Sequence, residues 1–545
     1  MIQLKPIYRV LILTLLALAV GAFGGATYTR VKTQRQLSEL FSSGRLQTPG
    51  SNSKLENTLR LIADHYIDTV KIDTFIESLM PEMLGRLDPH TTYIPAQDMS
   101  KMNEALDGEF DGIGVVFNMA TDTVIVLNVI AGGGSAKAGV MARDRIIEIN
   151  DTIVAGQSLS QDYVVSRLRG PRGTSVKLGV ERGGIDELVE IEVVRDKVPI
   201  NSISSSFIIK DGVGYIRLDQ FSRKTYAEFL GAVAKLTEAG MESLIFDLRS
   251  NAGGFMDQAI LLAGEFLPSN QLIVYTEDRA GRQDRQYSSR EGSLQDLPLV
   301  VLIDEGSASS SEILAGALQD NDKGLLIGRR SFGKGLVQQQ IPFSDGSAVR
   351  LTIARYYTPT GRSIQKPYVM GESEEYNLDI LHRLEHEELF TLDSISFNDS
   401  LRRVTPGGRV VYGGGGIMPD IFVPLSKETL PQFYKEVVGR NILYRYTIEY
   451  SDRNRDRLAS VESIADLDAL LSSDKRLVDD FVEYAKREGI SAPAKEVSES
   501  RSMLESQLRG YIGRNTSLGD DGFYANIYPL DDIMVRAVEE LTVKK

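Results

Sequence analysis

The stretch Leu-Val-Val-Leu-Ile-Asp-Glu-Gly-Ser-Ala-Ser-Ser-Ser-Glu-Ile-Leu-Ala-Gly-Ala-Leu-Gln, residues 299–319, changes its pattern at a glycine turn. Five apolar residues at its start predict a buried strand, and the run from Ser309 to Gln319 predicts a helix. Ser309 lies where this helix begins and Glu312 follows three residues later, as in a capping box. A strand, a sharp turn and a helix in this order indicate a layered α/β domain.

The pattern outside this stretch divides the chain into further modules. Strands and helices alternate from Gly212 onward, whereas residues 108–197 show the two-residue period of short strands with many glycine turns. Residues 54–102 and the charged part after Ser426 are helical in pattern. We therefore predict a multidomain α/β protein with these parts: a signal or anchor segment 1–30, a linker 31–53, a helical N-terminal region 54–105, a β-rich module 106–197, an α/β core 198–425 and a helical C-terminal extension 426–545.

Composition excludes several classes of function. The chain has 545 residues, a net charge of -14, no Cys and four His. Without Cys there are no disulfides, thiolate zinc sites or cysteine nucleophiles. An acidic chain also lacks the basic face that a phosphate backbone requires, so we expect no nucleic-acid partner.

The N-terminal segment predicts export. After Lys5 and Arg9, the run from Val10 to Thr29 is uncharged, and its 20 residues are long enough to cross a bilayer as a helix. Small residues near its end also fit a cleaved signal peptide. In both alternatives a large remainder would be exported.

One serine and one lysine offer hydrolytic chemistry. Ser309 opens a helix, and the Gly-flanked Lys334 can act as a base if burial lowers its pKa. Gln338 would orient the amine without adding a negative charge. The N–H of Ser310 and the turn that contains Gly253 and Gly254 would form an oxyanion hole. Taken singly, the serine is also explained as a helix cap and the lysine as a solvated turn residue.

Two other motifs compete with this interpretation. Residues 328–335 nearly match a phosphate-binding loop, but Gly335 stands where the magnesium-binding Ser or Thr belongs, and no helix pattern follows. The sequence His382-Arg383-Leu384-Glu385-His386 matches an inverted zinc-protease pattern. Its neighbourhood is crowded with charges, as in a solvated helix, so we predict no metal site and no cofactor.

Two motifs of the core stand out, Gly-Ser-Ala-Ser-x-Ser-Glu-Ile at 306–313 and Phe-Gly-Lys-Gly-x-Val-Gln at 332–338. With these motifs the sequence resembles the carboxyl-terminal processing peptidases, also called tail-specific proteases. Residues 109–115, 136–140, 144–150 and 168–173 resemble the PDZ domain of that family, and 358–362 and 413–420 extend the likeness. The resemblance covers roughly residues 55–425.

This resemblance implies a serine endopeptidase in which Ser309 is the nucleophile, Lys334 the general base and Gln338 its orienting partner. The core would be similar to the crotonase and Clp-protease α/β superhelix, with the PDZ domain inserted before it. Substrates would be polypeptides with exposed C-terminal tails. The location would be the bacterial envelope, either anchored in the inner membrane and facing the periplasm or, after cleavage, free in the periplasm. An adaptor protein and a homo-oligomer are further partners to expect.

The PDZ part would bind the substrate tail as an added strand. Its loop Gly112-Ile113-Gly114-Val115 would offer amides to the terminal carboxylate. Val164, Val165 and Leu168 on the adjacent helix either line the pocket for the last side chain or pack in the core. Extra glycine at 132–134 departs from the family pattern and predicts a looser loop. A non-catalytic PDZ scaffold that binds tails without cutting them is the alternative function.

Overall fold

The computed structural model describes residues 53–119, 122–183 and 185–542, which fall into two compact units divided between residues 83 and 84. Helix α1 (Ser53–His65) lies in the first unit, and helix α2 (Ile72–Gly85) begins there. Pro81 lies inside α2.

The predicted signal or anchor segment, 1–30, and nearly all of the linker lie outside the described residues. Within the residues that the structure does describe, no helix has both the length and the apolar character needed to cross a membrane.

The β-rich module is built from two small sheets. Its larger sheet has six strands in the order β3-β4-β5-β7-β8, with β6 added to β5, and β2 pairs separately with β9. The short strands predicted from the two-residue period of residues 108–197 are confirmed. Before the module come β1 (Thr92–Ile94) and α3 (Met99–Asp107), and its elements are β2 (Glu109–Gly112), β3 (Val115–Asn118), β4 (Val124–Val129), α4 (Gly134–Ala138), β5 (Arg145–Ile149), β6 (Thr152–Ile153), α5 (Gln161–Leu168), β7 (Ser175–Glu181), β8 (Val189–Val194) and β9 (Asp196–Pro199).

The α/β core contains a six-stranded sheet in the order β10-β11-β12-β15-β16-β21. The pair β10 and β11 is antiparallel and the other pairs are parallel, as the alternation of strands and helices predicts. Strands β12 and β15 are buried along their whole length because the sheet is covered on both faces. The elements are β10 (Ile203–Lys210), β11 (Val213–Leu218), α6 (Thr225–Glu238), β12 (Ser243–Asp247), α7 (Met256–Phe266), β15 (Leu299–Ile303), α8 (Ser310–Asp320), β16 (Leu325–Gly328) and β21 (Ile421–Phe422).

A second core sheet was largely missed by the sequence analysis. Its five strands have the order β1-β18-β13-β14, with β17 also paired to β18. Strand β1 pairs with β18 across more than 250 residues, so that Thr92 faces Arg350. Its remaining elements, and those that follow it, are β13 (Leu272–Asp278), β14 (Gln283–Tyr287), β17 (Leu336–Pro342), β18 (Ala348–Tyr357), α9 (Ser373–Glu385), β19 (Arg402–Val404) and β20 (Val410–Tyr412).

The C-terminal extension is helical, as predicted, and has its own apolar core. Its last helix packs instead against the six-stranded sheet, where Ile533 and Met534 join a cluster that contains Tyr215 and Val300. The helices are α10 (Gln432–Gly439), α11 (Ile442–Arg453), α12 (Arg455–Ala459), α13 (Ile464–Ser473), α14 (Leu477–Arg487), α15 (Ala494–Arg514), α16 (Asp520–Ile527) and α17 (Asp532–Thr542).

The fold brings two turns together at one edge of the parallel sheet. The turn after β12 and the turn after β15 both leave the carboxyl ends of neighbouring parallel strands. Ligands of open α/β sheets bind at this edge.

Candidate active site

Ser309 sits on a strained turn between β15 and α8. Its backbone has φ 56° and ψ -114°, a conformation that a residue with a side chain rarely adopts. The turn is held from below, because the carboxylate of Asp304 accepts N–H bonds from Ser250 (2.7 Å) and Gly306 (3.0 Å). A serine on a sharp strand-to-helix turn is the arrangement that exposes a nucleophile.

Glu312 connects this turn to the lysine loop. Its buried carboxylate accepts the N–H of Ser309 and the N–H of Lys334, both at 2.9 Å. The other oxygen accepts the N–H of Gly333 (2.7 Å) and the hydroxyl of Ser331 (2.5 Å). Burial raises the pKa of Glu312 to about 7, and the four donated bonds act in the opposite direction. The predicted capping interaction with Ser309 is thus one part of a larger anchor.

Lys334 has the environment that a basic amine requires. Its Nζ donates to the side-chain oxygen of Gln338 at 3.0 Å, as the spacing of four residues predicts. Burial lowers the pKa of Lys334, and the charge of Arg350 lowers it further, whereas Glu312 and Asp88 act to raise it. Lowering the pKa increases the fraction of neutral amine at a given pH.

Gln338 is itself held by the main chain at His90. Its amide nitrogen donates to the main-chain carbonyl of His90 at 2.5 Å. The imidazole of His90 meets the hydroxyl of Tyr376 at 2.8 Å. Burial, and then the charge of Lys334, lower the pKa of His90 to about 4, so this ring is neutral at neutral pH.

Two of the three predicted oxyanion donors have a free N–H. Within the described chain, the N–H groups of Ser310 and Gly254 have no acceptor. Gly253 corrects the prediction, because its N–H is donated to the side-chain oxygen of Asn251 at 2.8 Å. Its role is steric, since a Cβ at Gly253 would lie 2.8 Å from the Cβ of Ser309.

These groups share one cavity of about 860 Å³. Its apolar wall includes Phe221, Phe255 and Ile313, and its polar wall comes from the β17–β18 hairpin. The cavity is therefore large enough for several residues of an extended peptide. Ser309, Ser310, Gly253, Gly254, Lys334 and Gln338 all line it.

Helix α9 contains the first four residues of the zinc-like motif, and Arg383 is the buried one among them. His382 lies at the surface, 3.4 Å from Glu375. Arg383 is buried and donates to the carbonyls of Ser331 (2.8 Å) and Phe332 (3.1 Å), just before Lys334. Among the residues that the structure describes, no three metal-binding side chains cluster.

The predicted carboxylate loop of the β-rich module is held by backbone bonds. Ser135 N–H donates to the carbonyl of Ile113 (2.8 Å), and Ile130 N–H donates to that of Gly114 (3.0 Å). Gly114 has φ 80°, which favours glycine. Gly112 ends strand β2 and Val115 begins β3, so the predicted loop lies between the two small sheets.

The three helix residues predicted near a tail pocket differ in burial. Val164 and Leu168 are buried in the core of the module, and Val165 is half-buried. Val164 and Leu168 therefore contribute to packing, and of the three only Val165 offers appreciable surface.

The C-terminal extension contacts both neighbouring modules. Asn118 donates to the hydroxyl of Tyr444 at 2.7 Å, and Arg145 pairs with Asp452 at 3.1 Å. Toward the core, Arg249 pairs with Asp531 at 2.7 Å. These contacts connect the β-rich module to the α/β core through the extension.

Comparison with known proteins gives three family matches. Residues 212–372 match Peptidase family S41, residues 112–193 match the PDZ domain, and residues 433–517 match a family of unknown function. A carboxy-terminal-processing protease of Bartonella bacilliformis is 38% identical over 309 residues, which are 56% of this chain and 70% of that protein. The chain belongs to this protease family. It is a serine peptidase with a PDZ domain.

Two further proteins are similar to the peptidase. A carboxyl-terminal-processing protease of Synechocystis is 36% identical over 297 residues, 53% of this chain and 69% of that one. A solved structure named photosystem II D1 C-terminal processing protease is 25% identical, with a TM-score of 0.35, and covers 70% of this chain and 95% of that chain.

Proposed function

We propose that this peptidase cleaves polypeptides with a Ser309–Lys334 dyad. The observation that carries the proposal is the half-buried Lys334, whose amine is held by Gln338 and which lines one cavity with the strained Ser309 turn. A neutral lysine can accept the hydroxyl proton as the serine oxygen attacks the peptide carbonyl. The N–H groups of Ser310 and Gly254 then bind the oxyanion.

Proton transfer continues through the same amine. The protonated Lys334 gives its proton to the leaving amine, and an acyl-enzyme remains on Ser309. A water molecule, deprotonated by Lys334, then hydrolyses the ester. Gln338 accepts a hydrogen bond from the amine in both of its charge states, which keeps it directed into the cavity.

We infer that the substrates are C-terminal tails bound by the PDZ domain. The loop from Gly112 to Val115 would bind the tail carboxylate, and the tail would add as a strand. An exported, envelope-located protein with the predicted domain boundaries remains our expectation. A core similar to the crotonase and Clp-protease superhelix fits the parallel sheet and its helices.

The test uses the purified full chain and a folded protein with an unstructured, apolar-ended tail. Cleavage is followed by mass spectrometry for the wild type, Ser309→Ala and Lys334→Arg, with and without a chelator. The surface variant Lys427→Ala is the matched control. We expect cutting by wild type and control alone, unaffected by the chelator. Full activity in either site variant, or activity that needs a metal, would contradict the dyad.

A further inference from the structure

Arg350 is a cation on the wall of the catalytic cavity. It lies on β18 opposite Gln340 of β17 and lines the same cavity as Lys334 and Gln338. Its side chain is half-buried, and burial lowers the pKa of its guanidinium. The energetic cost of desolvating a cation is offset when an anion is bound.

Arg350 has no anionic side chain as a partner among the described residues. Within the described residues it forms no ion pair, and its side chain makes one long hydrogen bond, 3.3 Å, to the side-chain oxygen of Gln340. Other charges of the cavity wall have partners: Arg223 pairs with Asp107, and Asp219 with Arg217, each at 3.0 Å.

Asp257, the remaining acid of the wall, lies in the first turn of helix α7, where the helix dipole favours a negative charge. Its carboxylate accepts the N–H of Gln258 at 3.0 Å. Among the described charges of this wall, Asp257 is therefore stabilised by the helix, whereas Arg350 has no counter-ion.

The two carboxylates near Lys334 are already occupied. Glu312 accepts four bonds, as described above. Asp88 is buried and accepts bonds from the N–H of His90 (2.9 Å), from Thr91 (2.9 and 2.5 Å) and from the hydroxyl of Thr352 (3.1 Å). Neither of these described carboxylates is therefore left to act as a counter-ion for Arg350.

We propose that Arg350 binds a carboxylate of the substrate close to the scissile bond. Its source is either an acidic side chain or the terminal carboxylate of a short tail. The guanidinium, with five N–H donors and a single long bond to Gln340, can bind such a group in a bidentate manner. This inference rests on the proposed function of the cavity, because it assumes that the peptide lies beside Ser309.

The same charge also affects the base, so the test must separate two effects. Arg350 lowers the pKa of Lys334, and its removal raises that pKa. Arg350→Gln will therefore move the acidic limb of kcat/KM to higher pH for every substrate. The ratio of kcat/KM between two substrates, measured with one enzyme at one pH, cancels this common effect.

The experiment uses isosteric peptide pairs with Glu or Gln at each position around the scissile bond, and pairs with a free or amidated C-terminus. For the wild type we expect the carboxylate form to be preferred about tenfold or more at one position. Arg350→Gln should reduce this ratio to near one, and Arg350→Lys should keep part of it. Arg355→Gln, an exposed arginine on the same strand, should keep it fully.

The two sources of the carboxylate give different results. A preference that is lost on amidation identifies the terminal carboxylate, and one that survives amidation identifies a side chain. Equal cleavage of all pairs by the wild type, or a preference that Arg350→Gln retains, would overturn the proposal. If Ser309→Ala loses all cleavage in the same assay, the proposed role of Ser309 holds even when Arg350 does not select between substrates.

Discussion

The lysine loop and the PDZ carboxylate loop are both glycine-rich, but they are held in different ways. Three consecutive N–H groups of the lysine loop, at 333–335, donate to the side chains of Glu312 and Gln365. In the PDZ loop, the carbonyls of Ile113 and Gly114 instead accept main-chain N–H groups. Side-chain anchors make the first loop sensitive to substitutions at a distance, whereas the second depends on its own backbone conformation.

The largest effect is expected from Glu312→Gln. The amide keeps the size of the side chain, but it places a donor where an acceptor faced the four buried donors. Each buried donor left without an acceptor costs roughly 1–3 kcal/mol. Both Ser309 and Lys334 would shift, and a shift near 1 Å costs about 100-fold in rate. Peptide kinetics measure the loss of activity, and thermal unfolding measures the loss of stability. Activity within twofold of wild type would show that the loop does not need this anchor.

The pH dependence tests the state of the amine. Lys334 is active when neutral, and its pKa is lowered by burial, so kcat/KM should rise with pH and level off below the usual range of a lysine. Below that pKa the rate should fall about tenfold per pH unit. A profile that is flat from pH 5 to 9 would contradict a lysine base, as would a limb that starts near the ordinary lysine pKa of about 10.4.

Arg383→Met should reduce activity by about tenfold, because the carbonyls of Ser331 and Phe332 lose their donor beside the lysine loop. Arg383→Lys should recover part of the rate. Because the loop positions the amine, kcat should fall while KM changes little. His382→Ala, on the exposed face of the same helix, is the control. Equal losses in both variants would indicate a general effect on helix α9.

The smallest effect on cleavage is expected from the glycine stretch 132–134, which lies beside the PDZ loop. A Cβ at Gly134 would lie 2.1 Å from the carbonyl oxygen of Val194, so Gly134→Ala should weaken tail binding and destabilise the domain by roughly 2 kcal/mol. Gly132 has open space and φ 78°, which Asn tolerates, so Gly132→Asn is the matched variant. Calorimetry with a tail peptide compares them, and equal affinities would show that this loop adapts.

The residues that we propose for catalysis could be selected from the sequence because each lies in a short local motif. Ser309 follows a buried strand, and the spacing of Lys334 and Gln338 places them within reach of each other. The main-chain acceptor from His90 was not predictable, since β1 pairs with β18 through contacts distant in sequence. A one-dimensional pattern does not encode such a register.

Burial decides two assignments that the sequence pattern alone does not decide. Arg383 stands among charged residues and was assigned to a solvated helix, yet its guanidinium is buried against main-chain carbonyls. The positions of Val164 and Leu168 in the sequence fit either a pocket or a core. In the structure both side chains are buried in the core of the module. Gly253 was predicted as an oxyanion donor, but its N–H is donated to the side chain of Asn251. The sequence pattern does not show this orientation.

The last helix has a consequence for synthesis on the ribosome. Helix α17 covers Tyr215 and Val300 on one face of the core sheet, and these residues are made more than 200 positions earlier. A nascent chain folds from its N-terminus, so this apolar face stays exposed to solvent until translation reaches residue 542. During that interval the growing polypeptide exposes these side chains, and the covered sheet beneath the Ser309 turn forms only after residue 542 has been synthesised.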